Sequence, residues 1–406
     1  MSPPGAPSYS RVTLGPWRNA SSPAGASLLA LLSFPFVIEP RVTFHQQAQL
    51  WSMLFGIFAT LCSLAAWLSR RGRSVEAEAV TGASAARLSD AQPQDEYVAA
   101  PMLSDKLLWL GLSACGSMLL LSITNHLTEN VAPIPLLWVV PLALYLLTFT
   151  MAFHRRRLYW RWLMIRLVAV ALGSLGYAIY DPSFTESIQV SVPFFCAGLF
   201  VCCLFCHGEL AARRPDTRHL TSFYLMISLG GALGAGFVGL LAPHIFSAVY
   251  EFPLALLLTA GIAAAALWRE GWLARLFWVA ACVAMAAVLV RNANSYKKDA
   301  ILSVRNFYGA LRIKQFHDWL KQPYYTLYNG KIEHGAQFLN PPQSLQPTTY
   351  YGPKSGVGLA LAYFESAPKC VGVVGLGAGT LAAYGKPGDY FRFYEINPLI
   401  QQIATT

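Results

Sequence analysis

Three alternate glycines, Gly375, Gly377 and Gly379, follow an apolar run that begins at Val371. An acid, Glu395, closes the next such run, Tyr390 to Tyr394. These types at this spacing suit a nucleoside-containing ligand. Glycine lets a chain turn sharply and lets a ligand approach the backbone. A helix starting near Thr380 would offer unpaired N–H groups and a positive dipole end. A carboxylate at the end of the second strand can accept two hydrogen bonds from a ribose diol, at the separation of about 20 residues that dinucleotide folds use.

Positioning this turn requires a strand on each side. Val371, Val373 and Val374 predict a strand buried on both faces of a parallel sheet. Upstream, Phe307 to Ile313 and 324–334 predict β structure, the second with an Asn329-Gly330 turn that makes tight hairpins. Residues 347–364 lead through Gly and Pro into a helix. Residues 292–365 thus form a linker and small β unit, and 366–406 the start of a Rossmann-like cofactor-binding domain. The Pro-, Ser- and Gly-rich residues 1–22 lack a cleavable signal pattern and are expected to be disordered.

Residues 23–291 are different. The 406-residue chain is 55% hydrophobic and 12% charged, against about 25% charged in soluble domains. Its mean hydropathy is +0.43. Runs near 50–69, 107–126, 134–153, 163–180, 189–208, 220–242, 250–268 and 274–291 have the length of membrane helices, which satisfy their own backbone groups in lipid. Residues 25–39 are a shorter ninth candidate, and the loop 70–105 is expected to be flexible. Despite a formal charge of +10, nucleic-acid binding is excluded, because the cations sit in short clusters between apolar runs. Arg70, Arg71, Arg73, Arg155–Arg157, Arg213, Arg214, Arg218, Arg269 and Arg275 fall on alternate loops, which the positive-inside rule places in the cytoplasm. The last crossing then puts the C-terminal region outside. The eight cysteines lie mostly in apolar stretches, which argues against a disulfide framework.

Other signals have plainer readings. Cys203 to His207 spell the haem-attachment pattern C-x-x-C-H, but at the end of an apolar helix where cysteine is a small apolar residue; neither haem nor a metal is expected. His207 and Glu209 at that helix end could pair, or contact water and headgroups. Arg166 near a helix start can snorkel to the interface. Residues 25–40 align without gaps to 228–243, both small-residue-rich and closing on proline. Such repeats occur in transporters, although small residues also simply let helices pack.

Taken together, "CHGEL" (206–210), "FYLMISLGGALG" (223–234), "RNFYG" (305–309), "HGAQF" (334–338), "PTTYYGPKSGVGLAL" (347–361), "VGVVGLGAGTLAAYG" (371–385) and "FYEINP" (393–398) resemble the spermidine synthase-like proteins. The resemblance is to the bacterial membrane-fused branch, from about residue 200 to the end. It implies a multi-pass α-helical inner-membrane bundle, then a small β unit and the first β-α-β of a Rossmann-like methyltransferase-type α/β domain. It implies S-adenosylmethionine or its decarboxylated form as co-substrate and a small-molecule amine or other acceptor. Carried over, Gly375, Gly377 and Gly379 face the cofactor, Glu395 holds its ribose, Gln337 lies beside it, and Tyr351 is near the amine.

Departures accompany the likeness. Ala378 stands where authentic synthases have an aspartate. Tyr308-Gly309 stands for Tyr-Gln, and Tyr351-Gly352-Pro353 for Tyr-His-Glu. The catalytic base of the family falls beyond Thr406, so the expectation is a C-terminally truncated, inactive member. A methyltransferase, and a membrane transporter or sensor with a ligand-binding soluble domain, are the alternatives. Loop charges and cofactor supply conflict, since adenosyl cofactors are made in the cytosol; one miscounted crossing within 220–268 would remove the conflict.

Overall fold

A computed structural model of the chain describes residues 23–83, 100–130, 136–154, 159–364 and 368–405. The expectations for 1–22 and for Arg155–Arg157 lie outside the described residues. The chain falls into two units, residues 26–101 and the remainder.

The first unit is built from α1 (Pro23–Ser33), a π-helical turn (Phe34–Ile38) and α2 (Phe44–Ala83). Helix α2 runs on through residues 70–83, so the first part of the expected flexible loop is helical, and 84–99 are outside the described residues. Arg41 closes the π turn by donating to the Phe36 and Val37 carbonyls, at 3.2 and 3.1 Å. The repeat proposed from sequence acquires a structural counterpart here. Its other copy contains a second π turn, Phe237–Leu241, at the aligned positions.

The second unit begins with α3 (Leu103–Asn130), α4 (Val139–His154), α5 (Arg161–Tyr180), α6 (Ile188–Ala212), α7 (Leu220–Gly236), α8 (Ala242–Ile245), α9 (Glu251–Ala266) and α10 (Trp272–Lys297). Among the described residues, six helical stretches of the chain are long and apolar enough to cross a membrane: Phe44–Ala65, Leu103–Glu129, Arg161–Tyr180, Ile188–Ala212, Thr217–Ile245 and Trp272–Lys297. Helices α4 and α9 are shorter than their expected spans. This is a membrane protein, and each span read from the sequence contains a helix among the described residues.

Helix α3 is central, packed against α6, α7 and α9. Glycine makes the α3–α7 approach possible: a Cβ on Gly230 or Gly234 would overlap the carbonyl oxygens of Leu110 and Ala114. Ser113 adds an interhelical bond to the Ile227 carbonyl at 2.6 Å. In lipid, where helices gain little from burying apolar surface, such close backbone packing and hydrogen bonding hold them together. Phe195, Phe205, Phe223 and Phe252 fill the remaining core.

The ends of this unit are distinguishable. Arg213 donates to the Ala266 carbonyl, and Arg161 meets Glu270, so the connections after α6 and α9 share one end with the start of α5. Arg305 donates to the Ala248 carbonyl and Ser303 to that of Ser247, so the soluble sheet meets the opposite end. The chain from 217 to 266 therefore runs from one end of the bundle to the other and back.

After α10 come four antiparallel strands in sequential order, β1 (Ala300–Asn306), β2 (Gly309–His317), β3 (Pro323–Asn329) and β4 (Ile332–Phe338). The expected strand Phe307–Ile313 straddles a turn instead: Asn306 Oδ1 accepts the Tyr308 amide at 3.0 Å and folds the chain back between β1 and β2. The Asn329-Gly330 hairpin forms as expected, with Asn329 opposite Ile332. Helix α11 (Gly356–Tyr363) is capped by Ser355, whose hydroxyl accepts the Gly358 amide. Then β5 (Cys370–Val374) and β6 (Tyr390–Tyr394) pair in parallel, before α12 (Pro398–Thr405).

Two expectations are corrected. The helix at Thr380 is a five-residue 3-10 turn, Thr380–Tyr384, because Gly385, Pro387 and Gly388 follow at once and cannot propagate a helix. The β5 strand is not buried on both faces. Its residues alternate in exposure, and Val374 is 93% exposed, since among the described residues this sheet has two strands. A complete Rossmann-like β-α-β is therefore not what these residues form.

Candidate functional site

The glycine turn leaves β5 through three residues of positive φ: Gly375 at +93°, Gly377 at +56° and Gly379 at +72°. Side chains are disfavoured in that region, so the glycines are required by the path of the backbone. Strand β4 lies against the turn. Gly335 (φ +138°) faces it so closely that a Cβ there would come 2.7 Å from the Ala378 methyl. A Cβ on Gly377 would meet the His334 carbonyl at 3.4 Å.

Glu395 closes β6 as expected and reaches the turn. Its Oε2 accepts the Leu376 amide and its Oε1 the Asn397 amide, each at 2.8 Å. The carboxylate is thus held at the glycine turn with one lone pair of each oxygen engaged. Burial holds His334 below the ordinary histidine value of 6.5, opposed by the nearby Glu395 charge. At the start of β6, Asp389 accepts the Lys369 and Lys386 amides, at 2.8 and 3.0 Å, which holds its carboxyl below the usual range.

A cavity of about 190 Å³ is lined by Gln337, Ser344, Gln346, Ala378, Gly379 and Thr380, among others. The structure therefore brings Gln337 and Gly379 to one space, with Glu395 across the turn. Tyr351 does not line it. The Tyr351 carbonyl instead accepts the Tyr384 hydroxyl at 2.6 Å, tying the 347–352 segment to the 3-10 turn. Because that turn has only five residues, it provides no helix dipole, and within the glycine turn the Gly375 and Gly379 amides already donate to the Tyr394 and Leu376 carbonyls, at 2.8 and 2.9 Å. The cavity is smaller than the roughly 300–1,000 Å³ of small-molecule sites, so it has room for only one portion of a nucleoside-sized molecule.

Sequence reasoning missed a second polar centre, at the junction of bundle and sheet. Arg305 forms an ion pair with Glu251 at 2.5 Å, and the side chains are 4% and 0% exposed. Asn306, the next residue, donates to Asn397 Oδ1 at 2.7 Å. Buried polar atoms without a hydrogen-bond partner among the described residues gather here: Glu129 Oε2, Tyr250 Oη, Glu251 Oε2, Tyr296 Oη and Arg312 Nε. The signal was present in the sequence, since Glu129 and Glu251 each border an apolar run.

At the other end of the bundle, His207 and Glu209 do not pair. His207 Nδ1 is 3.1 Å from the Thr148 hydroxyl. Glu209, fully buried, accepts from Tyr159 Oη at 2.8 Å and Arg161 Nε at 2.9 Å, and also from Arg213. Gly208 is needed because a Cβ there would enter the Tyr159 ring. The "CHGEL" stretch is therefore a structural staple, with Cys203 and Cys206 fully buried. Arg166 lies over the Trp162 ring at 3.6 Å, which fits an interfacial position. No family model matches the chain, and no curated protein or solved structure matches it.

Proposed function

We propose that the chain is a membrane-anchored, spermidine synthase-like transferase whose C-terminal unit binds S-adenosylmethionine or its decarboxylated form. One observation carries the reading: three alternate glycines in the left-handed region, with a carboxylate from the neighbouring parallel strand bonded to their turn. An adenosyl ligand would lay its ribose against Glu395 and approach the backbone at Gly375 to Gly379, beside Gln337. The cavity lining holds no carboxylate, so the support is for binding; aminopropyl or methyl transfer would further need a proton acceptor at the attacking group. Isothermal titration of the full chain in detergent with each cofactor tests the reading. Micromolar binding of one form, abolished in Gly379→Val, is expected. Absence of binding of both forms to a folded chain would overturn it. Following transferred mass, aminopropyl or methyl, separates the two reactions.

A second reading, a transporter or sensor, is favoured by the paired π turns of the repeat and by the sheet's place at the end away from Arg161 and Arg213. A reporter fused after Lys298 distinguishes the sides of the membrane, and an external C-terminal unit would favour this second reading.

A further inference from the structure

A cavity of about 220 Å³ lies at the junction, where α3, α5, α9 and α10 meet the β3–β4 turn. We propose that it binds a small oxyanion, a phosphate or carboxylate group. Its lining includes His126, Phe252, Asn292, Tyr296, Arg312 and Lys331, and contains two cations but no carboxylate. Neither cation forms an ion pair among the described residues.

Arg312 is held in place rather than satisfied. Its guanidinium lies over the Tyr296 ring at 4.5 Å and 5.7 Å from the Tyr328 ring, and Nη1 donates to the Tyr296 carbonyl at 3.4 Å. Its Nε and the Tyr296 hydroxyl are buried without a partner. A buried donor left unmet is costly, and an oxyanion accepts from guanidinium, ammonium and phenol together. The acids nearby do not fill this role. Glu251 is engaged by Arg305. Glu129 also feels the Arg305 charge. Glu186 is the acid that acts on Lys331, from outside the lining.

The position matters as much as the charge. The cavity sits at the end of the Leu103–Glu129, Arg161–Tyr180 and Trp272–Lys297 helices, and the ends of membrane-length helices are where lipid headgroups would meet the chain. Free phosphate and a phosphodiester headgroup offer the same chemistry there.

Thermal unfolding of the full chain in detergent, with inorganic phosphate against chloride at equal ionic strength, tests a soluble source. The same measurement in nanodiscs of phosphatidylglycerol against phosphatidylcholine tests a lipid source. Stabilisation in either arm is expected, with apparent affinity falling about tenfold in Lys331→Gln and unchanged in Lys354→Gln. Lys331 is exposed on a two-residue turn, so this variant folds; Arg312→Lys is the second, retaining charge while losing the fork. Stabilisation by phosphate in detergent identifies a free anion, and stabilisation confined to phosphatidylglycerol identifies a headgroup. No stabilisation in either arm, or equal stabilisation in Lys331→Gln, overturns the proposal.

Discussion

Glu251→Gln tests how the soluble sheet is fastened to the bundle. The ion pair with Arg305 is nearly sealed from solvent, at 0% and 4% side-chain exposure. Removing one partner of such a pair strands a buried charge, a loss of about 3–5 kcal/mol. Two features reduce that figure. Arg305 retains its bond to the Ala248 carbonyl at 2.8 Å, and Glu129 acts on it as a second carboxylate. A net loss of about 2–4 kcal/mol remains, with a charged hydrogen bond alone contributing about 1.5–3. Local opening of the junction should rise by the corresponding factor, between about 30-fold and about 1,000-fold. Hydrogen exchange of the β1 amides, read by mass spectrometry on the full chain in detergent, reports that opening. Arg305→Gln should accelerate exchange comparably. The double variant should fall well short of the sum, because it leaves no lone charge. Unchanged β1 exchange in Glu251→Gln would refute the reasoning.

Three further outcomes follow from the geometry. Gly335→Val forces its side chain into Ala378 from a backbone of φ +138°; loss of at least about 2 kcal/mol is expected, visible as faster proteolysis of 370–405, and wild-type resistance would contradict the packing. His334 is neutral-favouring when folded, so its contribution is full above pH 6.5 and is lost as pH falls through its lowered folded value; the acid limb of thermal stability should shift in His334→Gln, and an identical profile would remove His334 as its source. Gly234→Leu wedges α3 from α7 at Ala114; a folded yield in detergent matching wild type would show that the helices do not need their close approach.

The bundle was legible because lipid leaves helix as the main option for a long apolar run. Hence the spans agreed to within a few residues, while α2 ran on past its apolar stretch into residues 70–83. The sheet was half legible. Asn329-Gly330 is a local turn signal and formed as read. The β1–β2 turn depends on the Asn306 side chain bonding the Tyr308 amide, which no apolar periodicity records. In the site, the positive-φ glycines and Glu395 were legible because backbone geometry and strand ends leave marks in residue type. The 3-10 turn was misread because a helix start looks the same whether or not Gly385 and Pro387 stop it. Tyr351 was assigned by likeness, and its placement depends on Tyr384, 33 positions away.

Arg305 and Asn306 explain how the sheets stay joined to the apolar bundle. Successive side chains of a strand point to opposite faces. At the end of β1 this gives Arg305 to the bundle, at Glu251, and Asn306 to the turn after β6, at Asn397. Asn397 in turn donates its amide to Glu395, whose other oxygen accepts from Leu376 in the glycine turn. Six residues, Glu251, Arg305, Asn306, Asn397, Glu395 and Leu376, thus form a bonded path from α9 to the glycine turn, four of them within "RNFYG" and "FYEINP". The path has a thermodynamic consequence. A ligand that competes for Glu395 must displace or share bonds that also seat Asn397 and Asn306. Binding at the turn and closure of the junction then carry a coupling free energy, and it must be reciprocal. Glu251→Gln should therefore change the affinity of the glycine turn for its ligand, although the two positions share no atom contact, and the ligand should change β1 exchange by the same factor.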